Sequence, residues 1–422
     1  MIYLDHSATT PLDPLVFKTM EPYLTKDFAN PASVHSLGQK ALKALDDSRF
    51  MIGKILEIDK PSDLIFTSGA TEANNLLIKG VVLENLTKLE KSNRKLNRKK
   101  GEYKKVHIIT TAIEHDSVIE PCRTLALDDR VEVTYLPTDK KGIVSVNSLI
   151  KALKPNTILV SIGYVNSEIG VIQPINKLGR ALKKYNKHVY KTWLNASTRK
   201  RGDKPQPIIF HTDATQAPNY LNCSVKSLLV DAMSLSAHKL YGPKGVGALY
   251  FNHNFSLSPL LNGGHQEKNL RSGTVNVPGA IGLATALSLA DKKRSFEVKR
   301  LKVLRIFFLR ELHKNSVGYK LNTPLKESVP GHINLSFKKI ALSGEALLVA
   351  LDEKGIAVST GSACAAGSVS VSRVLKALGL SDKEAGRSIR LTMGRLTGKK
   401  EIIKIVAVLK RLQRLKSNHS TK

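Results

Sequence analysis

Residues 231–251 read DAMSLSAHKLYGPKGVGALYF. Two short apolar runs, 231–236 and 246–251, flank His238, Lys239 and a Gly-Pro-Lys-Gly turn at 242–245. Runs of that length, bounded by Gly and Pro, read as buried strands. A lysine just past such a strand differs from the usual solvated one. Partly desolvated, its amine loses its proton more readily and can form a Schiff base. Five further strand candidates lie upstream: 64–67 (LIFT), 106–111 (VHIITT), 131–135 (VEVTY), 158–164 (ILVSIGY) and 207–212 (PIIFHT). Helical patterns lie between several of them, for example at 38–57 and 71–85. This alternation predicts an α/β domain with a mainly parallel seven-stranded sheet covered on both faces. After Pro278 the pattern changes: an amphipathic stretch over 279–315, a strand near 332–337 (HINLSF), then more helices. That reads as a smaller α+β domain. We place the large domain at 16–290 and the small one at 1–15 plus 291–422.

The length of 422 residues is enough for two cores, and 42% hydrophobic residues is an ordinary globular share. No apolar run approaches the ~18–20 residues of a membrane span. Structure begins at once with Ile2-Tyr3-Leu4, without a signal or transit pattern, so a soluble, cytoplasmic protein is expected. Cys122, Cys223 and Cys364 are too few and too scattered for a disulfide framework or a zinc site, and no resident metal is expected. The net charge of +31 is concentrated in three runs. Residues 86–105 carry nine Lys/Arg against two Glu; 183–204 carry eight against one Asp; 399–422 carry eight against Glu401. Such runs attract nucleic acid or an acidic protein, or are simply solvated faces. The stretch 86–105 reads as an exposed insertion.

Six places carry chemistry. In Thr67-Ser68-Gly69-Ala70-Thr71-Glu72 a strand gives way to a helix, whose first N–H groups and neighbouring hydroxyls make an anion cradle. Asp213 ends an apolar strand in HTDATQ, where a carboxylate can keep a pyridinium nitrogen protonated. Ser236 and His238 flank Lys239 and can reach the same phosphate. His115 follows a strand and can stack on a ring and move protons. Cys364 sits among small residues in STGSACAAGS, a composition of surface loops, and alone of the three cysteines is placed like a nucleophile. Arg390, in the apolar run SIRLT, needs an anion, either an internal carboxylate or that of a substrate.

Together these segments resemble the NifS/IscS-type cysteine desulfurases of the class V aminotransferase fold. The likeness runs from Tyr3-Leu4-Asp5-His6 through TSGATEANN, AIEH, HTDATQ, SLSAHKLYGPKG and Arg271-Ser272-Gly273-Thr274 to STGSACAAG and SIRLTMGR. It implies the fold type I of pyridoxal-phosphate transferases, with pyridoxal 5′-phosphate as cofactor. By resemblance Lys239 is the Schiff-base lysine, Asp213 pairs with the ring nitrogen, Gln216 bonds the ring's O3′ and His115 stacks on the ring. Ala70, Thr71, Ser236 and His238 would hold the phosphate. Thr274 would reach the phosphate site of a neighbouring subunit, which implies a homodimer. Cys364 would accept sulfur from L-cysteine as a persulfide, and could transiently touch an iron–sulfur cluster; Arg390 would bind the substrate carboxylate. The sulfur would pass to an acceptor protein, either an iron–sulfur scaffold or a tRNA-thiolating enzyme. The basic insertions would add a weak tRNA contact. By the same resemblance Ser167 stands where the family has a cofactor-contacting Asn, and the longer tail with which some members dock the scaffold is expected to be missing. Two other readings stay open: a selenocysteine lyase, and a basic nucleic-acid-binding protein with a vestigial enzyme core.

Overall fold

The computed structural model describes residues 1–95, 105–195, 205–337, 340, 342–360 and 371–414. Seven strands form the central sheet in the order Leu64–Thr67, Gly247–Phe251, Ala232–Ser236, Ile209–Asp213, Thr157–Ser161, Val106–Thr111, Val131–Leu136. All seven fall on the expected runs. Six point one way, and Gly247–Phe251 runs antiparallel to both its neighbours. The sheet is buried on both faces, which is why its strands read as nearly continuous apolar runs. One face presents Phe66, Ile109, Val160, Phe210 and Met233; the other presents Ile65, Ile108, Leu159, Ile209 and Ala232, packed against Leu76, Leu77 and Val81.

A second, smaller sheet is antiparallel, ordered Ser388–Thr392, His332–Ser336, Lys320–Leu321. Its core gathers Leu301, Phe308, Ile333, Leu335, Ile389 and Ile402, together with Leu4 from the N-terminal segment. Helix Val277–Lys314 serves both cores: Ala280 to Leu287 pack on the large sheet, and Leu301 to Leu312 on the small one. The proposed division at 290/291 therefore falls inside one continuous helix. The N-terminal segment crosses back, pairing Ile2–Tyr3 in parallel with Ile356–Ala357 and bridging Asp5 to Thr392.

One expectation needs correction. Up to Lys95 the stretch 86–105 is no loose insertion. It continues helix Ala70–Lys95, with Leu86 buried and Leu89 packed against the same core. Likewise 183–195 completes helix Ile175–Asn195. In both, lysines on the outer face hide the apolar period of the inner one. Residues 96–104 and 196–204 lie outside the described residues. Among the described residues no helix is long and apolar enough to cross a membrane.

Candidate active site

The carboxyl ends of five of the six like-directed strands open on one cavity of about 1180 Å³, the position where open α/β sheets gather ligands. Its walls include Ala70, Thr71, His115, Ser167, Asp213, Gln216, Ser236, His238, Lys239 and Arg390. Strand Ala232–Ser236 ends in a turn, Ala237–Lys239, that carries the lysine. The chain then reverses into Gly247–Phe251, which sets Gly247 opposite both Ser236 and Thr67. A Cβ on Gly247 would stand 2.5 Å from the Leu235 carbonyl oxygen and 2.7 Å from the Gly69 Cα. Only glycine lets the 67–70 turn close over the reversed strand and present helix Ala70–Lys95 end-on to the cavity. The first N–H groups of a helix carry no intrahelical acceptor, so they make an anion cradle beside Thr71, Ser236 and His238. Burial, with the nearby Lys239 and Lys244 charges, pushes His238 down to about 4, so it is neutral at pH 7.

Asp213 is held on both oxygens. Oδ2 accepts from Asn74 Nδ2 at 2.8 Å and Oδ1 from the Thr215 N–H at 2.9 Å. A carboxylate offers about four acceptor sites, so one more donor can be taken without displacing either. The second hydrogen of Asn74 Nδ2 goes to Ser117 Oγ at 2.9 Å. His115 caps helix Asp116–Leu125, its Nδ1 accepting from the Ser117 N–H at 3.1 Å, so Nε2 carries the proton of the neutral ring. The Lys239 ammonium donates to the Ser7 and Ala8 carbonyl oxygens at 2.6 and 2.5 Å. Gln216 Nε2 donates to the same Ser7 oxygen at 2.9 Å. Arg390 pairs with Asp5 at 2.7 Å and donates to the Ser167 carbonyl at 3.3 Å. Both readings of Arg390 thus meet in one residue: it has an internal carboxylate and it also lines the cavity.

Ser167 contributes its carbonyl, which also accepts from Ser7 Oγ at 2.7 Å. Thr274 is exposed and lies off this chain's cavity wall. Cys364 lies outside the described residues. Cys122 and Cys223 are buried, and burial pushes both thiols up to about 12, so neither is thiolate near neutral pH.

The family model described as Aminotransferase class-V matches residues 2–191 and 200–404. The chain belongs to the class-V aminotransferase family. Among the similar proteins, the cysteine desulfurase IscS of Dictyoglomus turgidum is 41% identical over 411 residues, covering 97% of this chain and 94% of that protein. A cysteine desulfurase of Rattus norvegicus is 39% identical, covering 95% and 80%. A solved NifS-like protein superposes with a TM-score of 0.82 at 32% identity, covering 99% of each chain. The expected NifS/IscS relationship and the fold type I architecture are both borne out.

As in other class-V enzymes, the cofactor is pyridoxal phosphate. The site's own atoms suit that group. Thr215 Oγ1 and Arg390 Nε are buried without a partner among the described residues, and both residues line the cavity. A phosphate cradle, a carboxylate with spare acceptor capacity and an amine stand on one sheet edge.

Sequence reasoning passed over several residues in and behind the cavity wall. Asn74 is fully buried on a helix face otherwise made of Ala73, Leu76 and Leu77, and an Asn among such residues was the available signal. Glu114 and Glu168 are both pushed up to about 7 by burial. The first is opposed by the Gly163 N–H and the Thr111 hydroxyl, the second by the Ser372 hydroxyl and the Arg390 and Arg373 charges. The Ser7 and Ala8 carbonyls leave no side-chain signature at all.

Proposed function

We propose that this pyridoxal-phosphate enzyme is a cysteine desulfurase that removes sulfur from L-cysteine, leaves L-alanine and holds the sulfur as a persulfide on Cys364. The observation that carries the reading is the convergence of Lys239, Asp213 and Arg390 on one cavity. A vestigial core in a nucleic-acid-binding protein would have no reason to keep all three.

When bound, the cofactor supplies an electron sink for charge developing at the substrate Cα. Arg390 fixes the substrate carboxylate with the donors that Asp5 and Ser167 leave over. Asp213 holds a proton at the ring nitrogen, steadied by Asn74 and Thr215. Lys239 takes the Cα proton, and the His115 imidazole on the cavity wall serves the later proton transfer. The Cβ–S bond breaks as the Cys364 thiolate bonds to the sulfur. Cysteine plus thiol become alanine plus persulfide, with no outside oxidant.

Thr274 serves the phosphate site of a second copy in a homodimer, consistent with its exposure on this chain. The acceptor is an iron–sulfur scaffold or a tRNA-thiolating enzyme, and the setting is cytoplasmic. A weak tRNA contact falls on helix Ile175–Asn195. There Lys177, Arg180, Lys184, Lys187 and Lys191 are exposed at three- and four-residue spacing, and the helix contains no acidic residue.

The test is Cys364→Ser. Adding cysteine should still change the absorbance of the bound cofactor, yet sulfide and alanine release should fall close to zero. Full release with Cys122 and Cys223 intact would place the acceptor thiol elsewhere.

A further inference from the structure

The turn Asn166-Ser167-Glu168 ties together the parts of the site that lie farthest apart in sequence. Asn166 Nδ2 donates to the Ile113 carbonyl at 2.9 Å, two residues before His115. Its Oδ1 accepts from the Glu168 and Ile169 N–H groups, both at 2.9 Å, which fixes the turn. The Ser167 carbonyl takes the Ser7 hydroxyl and the Arg390 guanidinium. Glu168 reaches the other way. Both its carboxylate oxygens accept from Ser372 Oγ, at 2.7 and 2.8 Å.

Ser372 is eight residues beyond Cys364 in the chain, and it caps helix Arg373–Ala377 by accepting from the Leu375 N–H at 3.1 Å. The cap acceptor is therefore oriented by the carboxylate that receives its proton. Glu168 and Ser372 are both buried, 4% and 6% exposed, so water does not substitute freely for either partner. A second tie runs beside the first: Arg373 Nη2 donates to the Glu114 carbonyl at 3.1 Å and to Asp116 at 2.7 Å. Val374, Leu375 and Leu378 pack on Ile113, Ile169 and Val171, so the helix sits on the segments that carry His115 and Ser167. Its placement is set by a polar bond at one end and an apolar patch at the other.

We propose that Glu168 is a positioning residue: through the Ser372 hydroxyl it seats the helix following Cys364 on the wall of the active-site cavity, and thereby sets the rate of sulfur transfer rather than the binding of cofactor or cysteine. This rests on the reading of Cys364 as sulfur acceptor. The role needs a hydrogen-bond acceptor at Glu168, not a titrating acid, and that makes it separable from proton transfer. An amide oxygen accepts as a carboxylate does, more weakly.

In the holoenzyme, Glu168→Ala and Ser372→Ala should each lower kcat for alanine formation about tenfold, the factor carried by a buried hydrogen bond whose remaining partner is left unsatisfied. KM for cysteine and the cofactor content should stay unchanged. The double variant should be no slower than either single one, because both remove the same bond. Glu168→Gln should recover activity to within about threefold of wild type. Amide hydrogen exchange at Leu375 should quicken in both alanine variants and return toward wild type in Glu168→Gln. Loss in Glu168→Gln equal to that in Glu168→Ala would overturn positioning in favour of proton transfer. So would additive losses in the double variant. Unchanged exchange at Leu375 would overturn the clamp by itself. Sulfur transfer persisting in Cys364→Ser would refute the persulfide reading while leaving the exchange result to judge the clamp.

Discussion

Replacing Arg390 by lysine separates charge from geometry at the substrate end of the cavity. The side chain is only 6% exposed, with one Nη on Asp5 at 2.7 Å and the other on the Ser167 carbonyl at 3.3 Å. A guanidinium has five N–H donors. Two are engaged here, and Nε has no partner among the described residues. Three donors remain, enough for two parallel bonds to a carboxylate. Lysine keeps the charge but gathers its three donors on one nitrogen, so it cannot serve Asp5 and grip a carboxylate twice. The loss is one charge-assisted hydrogen bond, about 1.5–3 kcal/mol, or roughly a tenfold to hundredfold drop in kcat/KM for cysteine. Inhibition by L-alanine and by ethylamine, which differ by the carboxylate alone, isolates the effect. In Arg390→Lys the alanine inhibition constant should rise by the same factor, and that of ethylamine should stay within about twofold. Equal weakening of both would mean that Arg390 supports the fold of the site without touching the carboxylate. No weakening of either would remove it from the site.

Three further outcomes are expected. Ser167→Ala should cost less than about threefold in turnover, because Ser167 enters the network through its backbone carbonyl; a loss beyond tenfold would show its hydroxyl at work. Reversing Lys184, Lys187 and Lys191 to Glu should weaken tRNA binding and flatten the plot of log affinity against log salt, leaving turnover with a small thiol acceptor intact. Identical salt slopes would clear that helix of any nucleic-acid role. His332 is buried with neither ring nitrogen on a partner among the described residues, and burial, reinforced by the Arg390, Lys239 and Arg305 charges, pushes it from 6.5 down to about 3. The folded state thus binds fewer protons than the unfolded one below pH 6.5, and stability declines as pH falls from there toward about 3. At pH 5 this amounts to about 2 kcal/mol. His332→Leu should shrink the pH 7 to pH 5 difference in urea stability by that much, and an unchanged difference would show the ring is not the group responsible.

The sheet was legible because most of its strands are buried on both faces and so read as short, largely apolar runs, the edge strand Val131–Leu136 being only partly buried. Lys239 and Asp213 stood out by the same logic, as charged groups where such runs stop. What could not be read was whatever depends on partners distant in the chain. Asn74 meets Asp213 across 139 positions, and Glu168 meets Ser372 across 204. Neither residue carries a local sign of its partner. Leu86 and Leu89 were masked by surrounding lysines, although their burial extends the helix that begins at the cradle. Thr274 could be named only by resemblance, since its expected ligand would belong to another copy.

The N-terminal segment that receives the Lys239 amine has a consequence for how the enzyme comes into being. Leu4 and the Thr392 N–H are joined by a hydrogen bond, and Asp5 pairs with Arg390, at separations of 388 and 385 residues. On a ribosome, Leu4 and Asp5 must wait for residues 390–392 before they find their place. Closing a loop of that length costs about 3 kcal/mol more than closing one of ten residues. The large sheet can form from contacts made much earlier in synthesis, and Ser7 and Thr10 bond to its Ser167, Gln216 and His238, but Asp5 has no Arg390 to pair with until the small sheet is complete. Assembly of the catalytic centre is thereby postponed to the end of folding, after both cores exist. A chain interrupted before residue 388 would carry a well-formed sheet and an unfinished site.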